Sequence, residues 1–80
     1  MLQVADIKNK VEWKSRRGML ELDLIFNNIL NNNNFDLLQW QLFDKLLDYQ
    51  DPDLYYFFMG ITMPANKELA EFIKFLDVKD

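Results

Sequence analysis

Apolar side chains recur every three or four residues along most of this chain, which is the spacing of one face of an α-helix. Val4, Ile7 and Val11 follow this spacing and predict a first helix over residues 4–17. Gly18 comes directly afterwards, as expected of a residue that closes a helix, and the basic residues before it suit the negative end of the helix dipole. The chain is therefore predicted to fold as helices joined by short connections.

A second helix is predicted over residues 19–31, with Leu20, Leu24, Ile29 and Leu30 facing the core. Near its start, leucines also alternate with charged residues, which is the pattern of a half-buried strand. We favour the helix because the alternation ends after Leu24 and no second strand is evident to pair with it.

Four asparagines at positions 31–34 predict a loop after the second helix, because asparagine tolerates turn conformations. Asp36 and Gln39 then have the spacing of a capping box, which begins a third helix that extends to about residue 49. The apolar face of this helix is predicted to consist of Leu38, Leu42, Phe43, Leu46, Leu47 and Tyr49.

Asp51 and Pro52 predict the start of a fourth helix, with aspartate as the cap and proline at the first helical position. This helix is short and aromatic and ends near the second glycine. Pro64 and Asn66 introduce a fifth helix. Its predicted core stripe consists of Leu69, Phe72, Ile73 and Leu76. The chain, residues 1–80, is thus predicted to be a single small all-α domain, a compact five-helix bundle.

Composition shows what can stabilise such a bundle. No cysteine is present, so neither disulfides nor thiolate chemistry are available. Half of the residues are apolar and 15% are aromatic, and each bulky side chain that is fully buried contributes roughly 1.5–3 kcal/mol. A hydrophobic core alone can therefore hold the domain together.

No apolar run approaches the ~20 residues that a membrane-spanning helix requires, so we expect no direct insertion into a membrane. The first ten residues lack the basic-then-apolar order of a secretory signal. We expect a bacterial cytoplasmic protein, with the mitochondrial matrix as the alternative if the chain is a processed form.

Side-chain chemistry argues against an enzyme. Histidine is absent, which removes the usual general base and the usual nitrogen ligand of metals. The two glycines, Gly18 and Gly60, stand alone, so no phosphate-binding loop is present. We therefore predict no catalytic residues, no metal site and no stably bound cofactor.

Charge is distributed unevenly along the chain. Residues 1–20 hold five basic and two acidic residues, a net charge of +3, whereas residues 21–80 hold four lysines and eleven acids, a net charge of −7. The basic N-terminal part leaves a nucleic-acid partner open as a weaker alternative. We favour a protein partner because the rest of the chain would repel phosphate.

Four consecutive aromatic residues, Tyr55 to Phe58, cover every face of the fourth helix, so they cannot all point into one core. We expect Phe57 and Phe58 to pack inward and the two tyrosines to lie at or near the surface, where they could form a binding patch.

Charged residues of both signs converge on the first glycine. Arg16 and Arg17 precede Gly18, while Glu21 and Asp23 follow it, and Trp13 lies one turn earlier. A helix–helix junction explains the glycine as a cap. It does not explain the converging charges, which can form charge-assisted hydrogen bonds to a partner, next to a residue whose missing Cβ lets another backbone come close.

This segment resembles the signature of the succinate dehydrogenase flavination (assembly) factor family. The R-G-x-x-E motif of that family is matched by Arg17, Gly18 and Glu21. A second block, the stretch DPDLYYFFM at residues 51–59 followed by P-A and E-L at residues 64–69, resembles the family's D-P-D-L-x-x-x-x-M … P-A-x-x-E-L segment. Together the two blocks cover most of residues 11–70.

The resemblance implies a five-helix protein that binds the flavoprotein subunit of succinate dehydrogenase, and also that of fumarate reductase, and promotes covalent attachment of FAD to that subunit. The attachment chemistry then belongs to the partner and its flavin. The residues to which the resemblance assigns partner contact are Arg17, Gly18 and Glu21, with Arg16 and Asp23 beside them and Trp13, Asp51 and Pro52 as further candidates. We expect a monomer without nucleic acid.

Two other functions are alternatives. An antitoxin-like role toward a membrane toxin has been proposed within the same family. A generic helical adaptor would instead bind a partner through the aromatic fourth helix, so that Tyr55 and Tyr56 would matter more than Arg17 and Glu21.

Overall fold

The computed structural model describes residues 4–76; the outermost residues of the predicted 1–80 domain lie outside that range. The helices of this part of the chain are α1 (Val4–Lys14), α2 (Leu20–Asn32), α3 (Leu37–Leu46), α4 (Asp51–Phe58) and α5 (Lys67–Leu76). No strand occurs between residues 4 and 76. The radius of gyration is 11.8 Å, close to the ~11–12 Å expected of a globular domain of this length. The predicted all-α five-helix bundle is confirmed.

Helix α3 packs against both α1 and α5, while α2 packs against α4. The core contains a group of aromatic rings around Phe43, which is fully buried. The ring centre of Phe35 lies 5.0 Å from that of Trp40 and 5.9 Å from that of Phe43, and Phe72 adds a contact from α5. These edge-to-face and tilted contacts join three segments of the chain.

Two predicted helix starts are confirmed atom by atom. The Asp36 carboxylate accepts a hydrogen bond from the Gln39 backbone N–H at 2.8 Å, and the Gln39 side chain accepts one from the Asp36 N–H at 3.0 Å. This is the predicted capping box. At α5, the Asn66 side chain accepts a hydrogen bond from the backbone N–H of Leu69. All four residues of the predicted α5 stripe are buried.

The predicted core face of α2 is wrong at its start. Leu20 and Leu24 are 69% and 60% exposed, whereas Leu22, Phe26 and Ile29 are buried. Residues two positions apart lie about 200° apart around an α-helix, so only one set of the alternating leucines can face the core. The set in phase with Phe26 does so, and Leu20 and Leu24 therefore face outward. Val4 and Leu38, in the first turns of α1 and α3, are also exposed.

The aromatic residues of α4 divide as predicted. Phe57 is buried and its ring lies edge-on to that of Tyr49 at 5.0 Å. Phe58 is half-buried and contacts the ring of Phe26 at 5.5 Å. Tyr55 is half-buried and Tyr56 is exposed. The fourth helix therefore contributes mainly to the core.

Candidate functional site

The connection between α1 and α2, residues 15–19, contains the glycine that the sequence singles out. Gly18 has a φ of +80°, a conformation that glycine adopts at little cost. A Cβ atom at this position would meet no atom within 4 Å, because the residue faces open space. The prediction that Gly18 closes α1 is wrong, because that helix already ends at Lys14.

Helix α1 ends early because its last turn finds other hydrogen-bond partners. The Ser15 hydroxyl donates to the carbonyl of Glu12 at 2.8 Å, and the Arg16 N–H donates to the carbonyl of Trp13 at 3.3 Å. The Arg16 bond spans three residues rather than the four of an α-helix, so it tightens the backbone into a turn. The Ser15 hydroxyl satisfies the Glu12 carbonyl that a continuing helix would have used. The chain then leaves the helix axis toward Gly18.

The guanidinium group of Arg17 fixes this turn to the rest of the bundle. Its Nε donates to Oδ1 of Asp51 at 2.8 Å, and its Nη1 donates to the carbonyls of Lys14 at 3.1 Å and Leu47 at 2.9 Å. Its Nη2 donates to the carbonyl of Tyr49 at 2.7 Å. The side chain is only 16% exposed. We call this set of contacts the Arg17 clamp; it joins the end of α1, the end of α3 and the start of α4.

The clamp also explains why α3 is shorter than predicted. The helix ends at Leu46, and Leu47 to Tyr49 form tight turns in place of its last predicted turn. The carbonyls of Leu47 and Tyr49 point to the guanidinium group and are satisfied there. The Arg17 side chain therefore donates the hydrogen bonds that the N–H groups of a further helical turn would have donated.

Asp23 and Asp51 also act within the protein. The Asp23 carboxylate accepts a hydrogen bond from the backbone N–H of Arg17 at 2.9 Å. Asp51 is the first residue of α4 rather than its cap, which is Gln50, and its carboxylate pairs with Arg17. Pro52 follows at the second helical position and is exposed. The predicted cap at Asp51 is thus displaced by one residue.

The remaining predicted residues point outward. Trp13 is 74% exposed, and Arg16, Gly18 and Glu21 are exposed as well. Arg17 pairs with Asp51, and Glu21 makes no ion pair with any residue between 4 and 76. The eight predicted residues therefore separate into outward-facing groups and internal ones.

Leu20 and Leu24 belong to the same surface, although the sequence predicted them in the core. They stand one turn apart on the outside of α2, directly after the glycine turn. The signal that identifies them is their phase relative to Phe26. We call the exposed set the turn surface; it consists of Trp13, Arg16, Gly18, Leu20, Glu21 and Leu24.

Two grooves meet at Arg16. One has a volume of about 440 Å³ and is lined by Trp13, Arg17 and Asp51 among others. The other, of about 470 Å³, lies between the end of α1 and the outer side of α2 and includes Leu24 in its wall. The turn surface is therefore concave on both sides of Arg16, which gives a partner side chain places to enter.

Most of the basic charge near the N-terminus is neutralised by ion pairs. Lys14 Nζ lies 2.8 Å from Asp44 and 2.6 Å from Asp48, and Lys10 lies 3.4 Å from Asp44. Partial burial opposes the charge of the Lys14 amine, but its hydrogen bonds with Asp44 and Asp48 prevail and raise its pKa. Burial likewise works against the Asp44 carboxylate, and the lysines outweigh it and lower its pKa. The charge asymmetry of the sequence thus stabilises the contact between α1 and α3.

A larger groove, of about 560 Å³, lies between α1 and α3. Its apolar wall is formed by Ile7, Leu38 and Leu42, and the Lys10–Asp44 ion pair stands at its rim. None of the predicted site residues lines it. The site predicted from sequence and the groove between α1 and α3 are therefore different surfaces.

Comparison with known proteins yields consistent matches. A family model described as flavinator of succinate dehydrogenase matches residues 9–80. A Legionella pneumophila (strain Lens) protein named FAD assembly factor SdhE is 45% identical over 71 residues, which cover 86% of this chain and 89% of the relative. Proteins of the same name from Idiomarina loihiensis and Coxiella burnetii are 39% and 36% identical, over 86% and 81% of this chain and 79% and 82% of their own lengths.

No solved structure gives a significant match. Within the described residues, none of the helices has both the length and the apolar character needed to cross a membrane.

Proposed function

Because this chain belongs to the family of flavinators of succinate dehydrogenase, we propose that it binds the flavoprotein subunit of that enzyme and promotes covalent attachment of FAD to it. Members of the family are assembly factors rather than enzymes, by their names. The chemistry of attachment therefore belongs to the flavoprotein and its flavin, and the task of this chain is to hold the flavoprotein in a competent arrangement.

The turn surface is the docking site in this proposal. The observation that carries it is that Gly18 is open to solvent while its neighbour Arg17 is hydrogen-bonded to the end of α1, to the α3–α4 connection and to the start of α4. A turn that is already ordered loses little conformational entropy when a partner docks. A missing side chain at position 18 also lets the partner backbone come close.

The predicted site residues divide into two roles. Trp13, Arg16, Gly18 and Glu21 face outward and would contact the partner directly. The internal residues, Arg17, Asp23 and Asp51, position the turn. Pro52 is exposed beside Asp51, at the edge of the clamp.

Several finer features belong to the same proposal. The flavoprotein subunit of fumarate reductase would be a second partner, and the chain would act as a monomer in the bacterial cytoplasm. FAD would be held by the flavoprotein, so no residue of this chain is assigned to the flavin. An assembly factor must later dissociate from its partner. The turn surface is small and contains both polar and apolar residues, as transient interfaces do.

Covalent flavin on the partner tests the proposal. The flavoprotein subunit is expressed, in a host whose own factor is deleted, with and without this chain, and denaturing gels are imaged for flavin fluorescence. We expect a fluorescent band that depends on the chain. Equal bands with and without it would refute the flavination role, and binding that is lost with Tyr55→Ala and Tyr56→Ala but not with Glu21→Ala would favour the adaptor alternative.

A further inference from the structure

We propose that docking continues beyond the glycine turn: an extended segment of the flavoprotein that carries an apolar and a basic side chain lies in the groove between α1 and α2. This inference rests on the proposed function and adds the chemistry of the segment that is bound. The groove has a volume of about 470 Å³ and shares Arg16 and Leu24 with the turn surface. The partner would therefore reach it without leaving the surface on which it docks.

Exposed leucines on α2 indicate that the bound segment carries an apolar side chain. Leu20 and Leu24 stand one turn apart on the outside of this helix and are 69% and 60% exposed. Leu24 lines the groove, together with the half-buried Leu30. Two large aliphatic side chains exposed next to a groove present an apolar contact that water solvates poorly. An apolar partner side chain would bury both Leu24 and Leu30.

Two asparagines indicate that the groove binds the backbone of the segment through hydrogen bonds. Asn27 and Asn31 both line the groove, four residues apart and hence on one face of α2. Their side-chain amides make no hydrogen bond with any residue between 4 and 76, whereas the Asn32 amide donates to the backbone carbonyl of its neighbour Asn28 at 2.9 Å. An amide offers both a donor and an acceptor, which matches the N–H and C=O groups of a peptide.

An extended segment fits these amides better than a helix does. The backbone groups of a helix interior are already paired with one another, so they are not available to Asn27 and Asn31. A loop or an edge strand leaves its N–H and C=O groups free on one side. Recognition through amides therefore selects a partner segment whose backbone is unpaired.

The basic side chain follows from the charge of the groove. Two carboxylates, Glu12 and Asp23, line the groove against a single cation, Arg16. The exposed Glu21 lies in the same first turn of α2 as Asp23 but does not line the groove. The chain as a whole has a net charge of −4. A basic residue in the segment would compensate this local excess, and a second acidic group would be repelled.

Binding measurements with two matched double variants test the inference. Purified chain is titrated into the apo-flavoprotein subunit by isothermal calorimetry, using the native sequence, Asn27→Ala/Asn31→Ala and Asn28→Ala/Asn32→Ala. Alanine is the stronger helix former, so both variants keep α2 intact. We expect the groove pair to bind about tenfold more weakly, since it removes two intermolecular hydrogen bonds, and the Asn28/Asn32 pair to bind like the native chain.

A charge variant and a turn variant complete the design. Glu12→Gln should weaken binding about threefold at low salt and much less at high salt, because the contact is electrostatic. Gly18→Arg should abolish binding if the turn surface is the docking site. Native binding that is lost with Gly18→Arg but unchanged by the Asn27/Asn31 pair and by Glu12→Gln would overturn the groove inference and leave the proposed function standing. Failure of the native chain to bind would overturn both.

Discussion

Arg17 Nε lies 2.8 Å from Oδ1 of Asp51, so the arginine before the glycine turn is ion-paired with the first residue of α4. These two residues belong to the two sequence blocks that carry the family resemblance, 34 positions apart. The structure joins the blocks at one point. Part of what the blocks specify is therefore the internal clamp that holds the turn surface in place.

Loss of the clamp should destabilise the domain. We expect Arg17→Ala to lower the free energy of unfolding by about 2–4 kcal/mol, because it leaves Asp51 and the carbonyls of Leu47 and Tyr49 without their charged donor. Urea denaturation followed by circular dichroism measures this change. Arg16→Ala is the control and should stay within about 0.5 kcal/mol, since Arg16 is exposed. Equal effects at both positions would contradict the internal role of Arg17.

Side-chain geometry makes the clamp specific for arginine. Lysine keeps the positive charge but has one ammonium group in place of the planar fork that reaches Asp51 and three carbonyls. We expect Arg17→Lys to recover less than half of the stability lost in Arg17→Ala. Full recovery in the same denaturation experiment would show that charge alone matters.

Stability should depend on pH through the ion pairs of Lys14. The pKa of Asp44 is lowered in the folded state, so its contribution is present above about pH 3.9, its unfolded value, and is lost as the pH falls through the folded pKa. The pKa of Lys14 is raised, so its contribution is present below about pH 10.4 and is lost as the pH rises through the folded pKa.

Denaturation of the native chain and of Lys14→Met across pH measures this contribution. Their difference in unfolding free energy should be constant between about pH 5 and 9 and should shrink in acid as Asp44 is protonated. Lys8→Met, on an exposed position of the same helix, should show no such dependence. A difference for Lys14→Met that grows toward acid would contradict the assignment.

The two tryptophans should differ sharply in fluorescence. Trp13 is 74% exposed and Trp40 is 4% exposed. Acrylamide should therefore quench Trp13 emission, and Trp13→Phe should leave a blue-shifted, poorly quenched signal from Trp40. The same variant should weaken binding to the flavoprotein by roughly tenfold if the indole docks, since aromatic anchors dominate many interfaces. Unchanged affinity would show that Trp13 does not contact the partner.

Local sequence signals predicted the helices well, because caps and apolar stripes act over a few residues. Asp36 with Gln39, Asn66 at the start of α5, and the four-residue α5 stripe are all as expected. Leu20 and Leu24 were placed wrongly, since three leucines with alternating spacing fit either phase of a helix and only packing against Phe26 decides between them.

The site was predicted less completely than the fold. The charged residues on both sides of Gly18 identified the turn from sequence. The internal role of Arg17, however, depends on backbone carbonyls 30 and 32 positions away. No local pattern reveals that those carbonyls turn toward one guanidinium group. The same applies to Lys10 and Lys14, whose partners Asp44 and Asp48 are known only once α1 is packed against α3.

The covalent-flavin assay with a matched pair of glycine variants shows whether the partner docks at the Gly18 turn. Gly18 and Gly60 have φ values of +80° and +76°, and a Cβ at either would meet no atom within 4 Å. Gly18→Arg and Gly60→Arg should thus cost the fold a similar ~1–2 kcal/mol of backbone strain, which circular dichroism and thermal denaturation can verify.

We expect that Gly60→Arg still supports covalent flavin on the partner, whereas the equally folded Gly18→Arg variant does not. Full flavination with Gly18→Arg, or an equal loss with both variants, would contradict a docking site at the Gly18 turn.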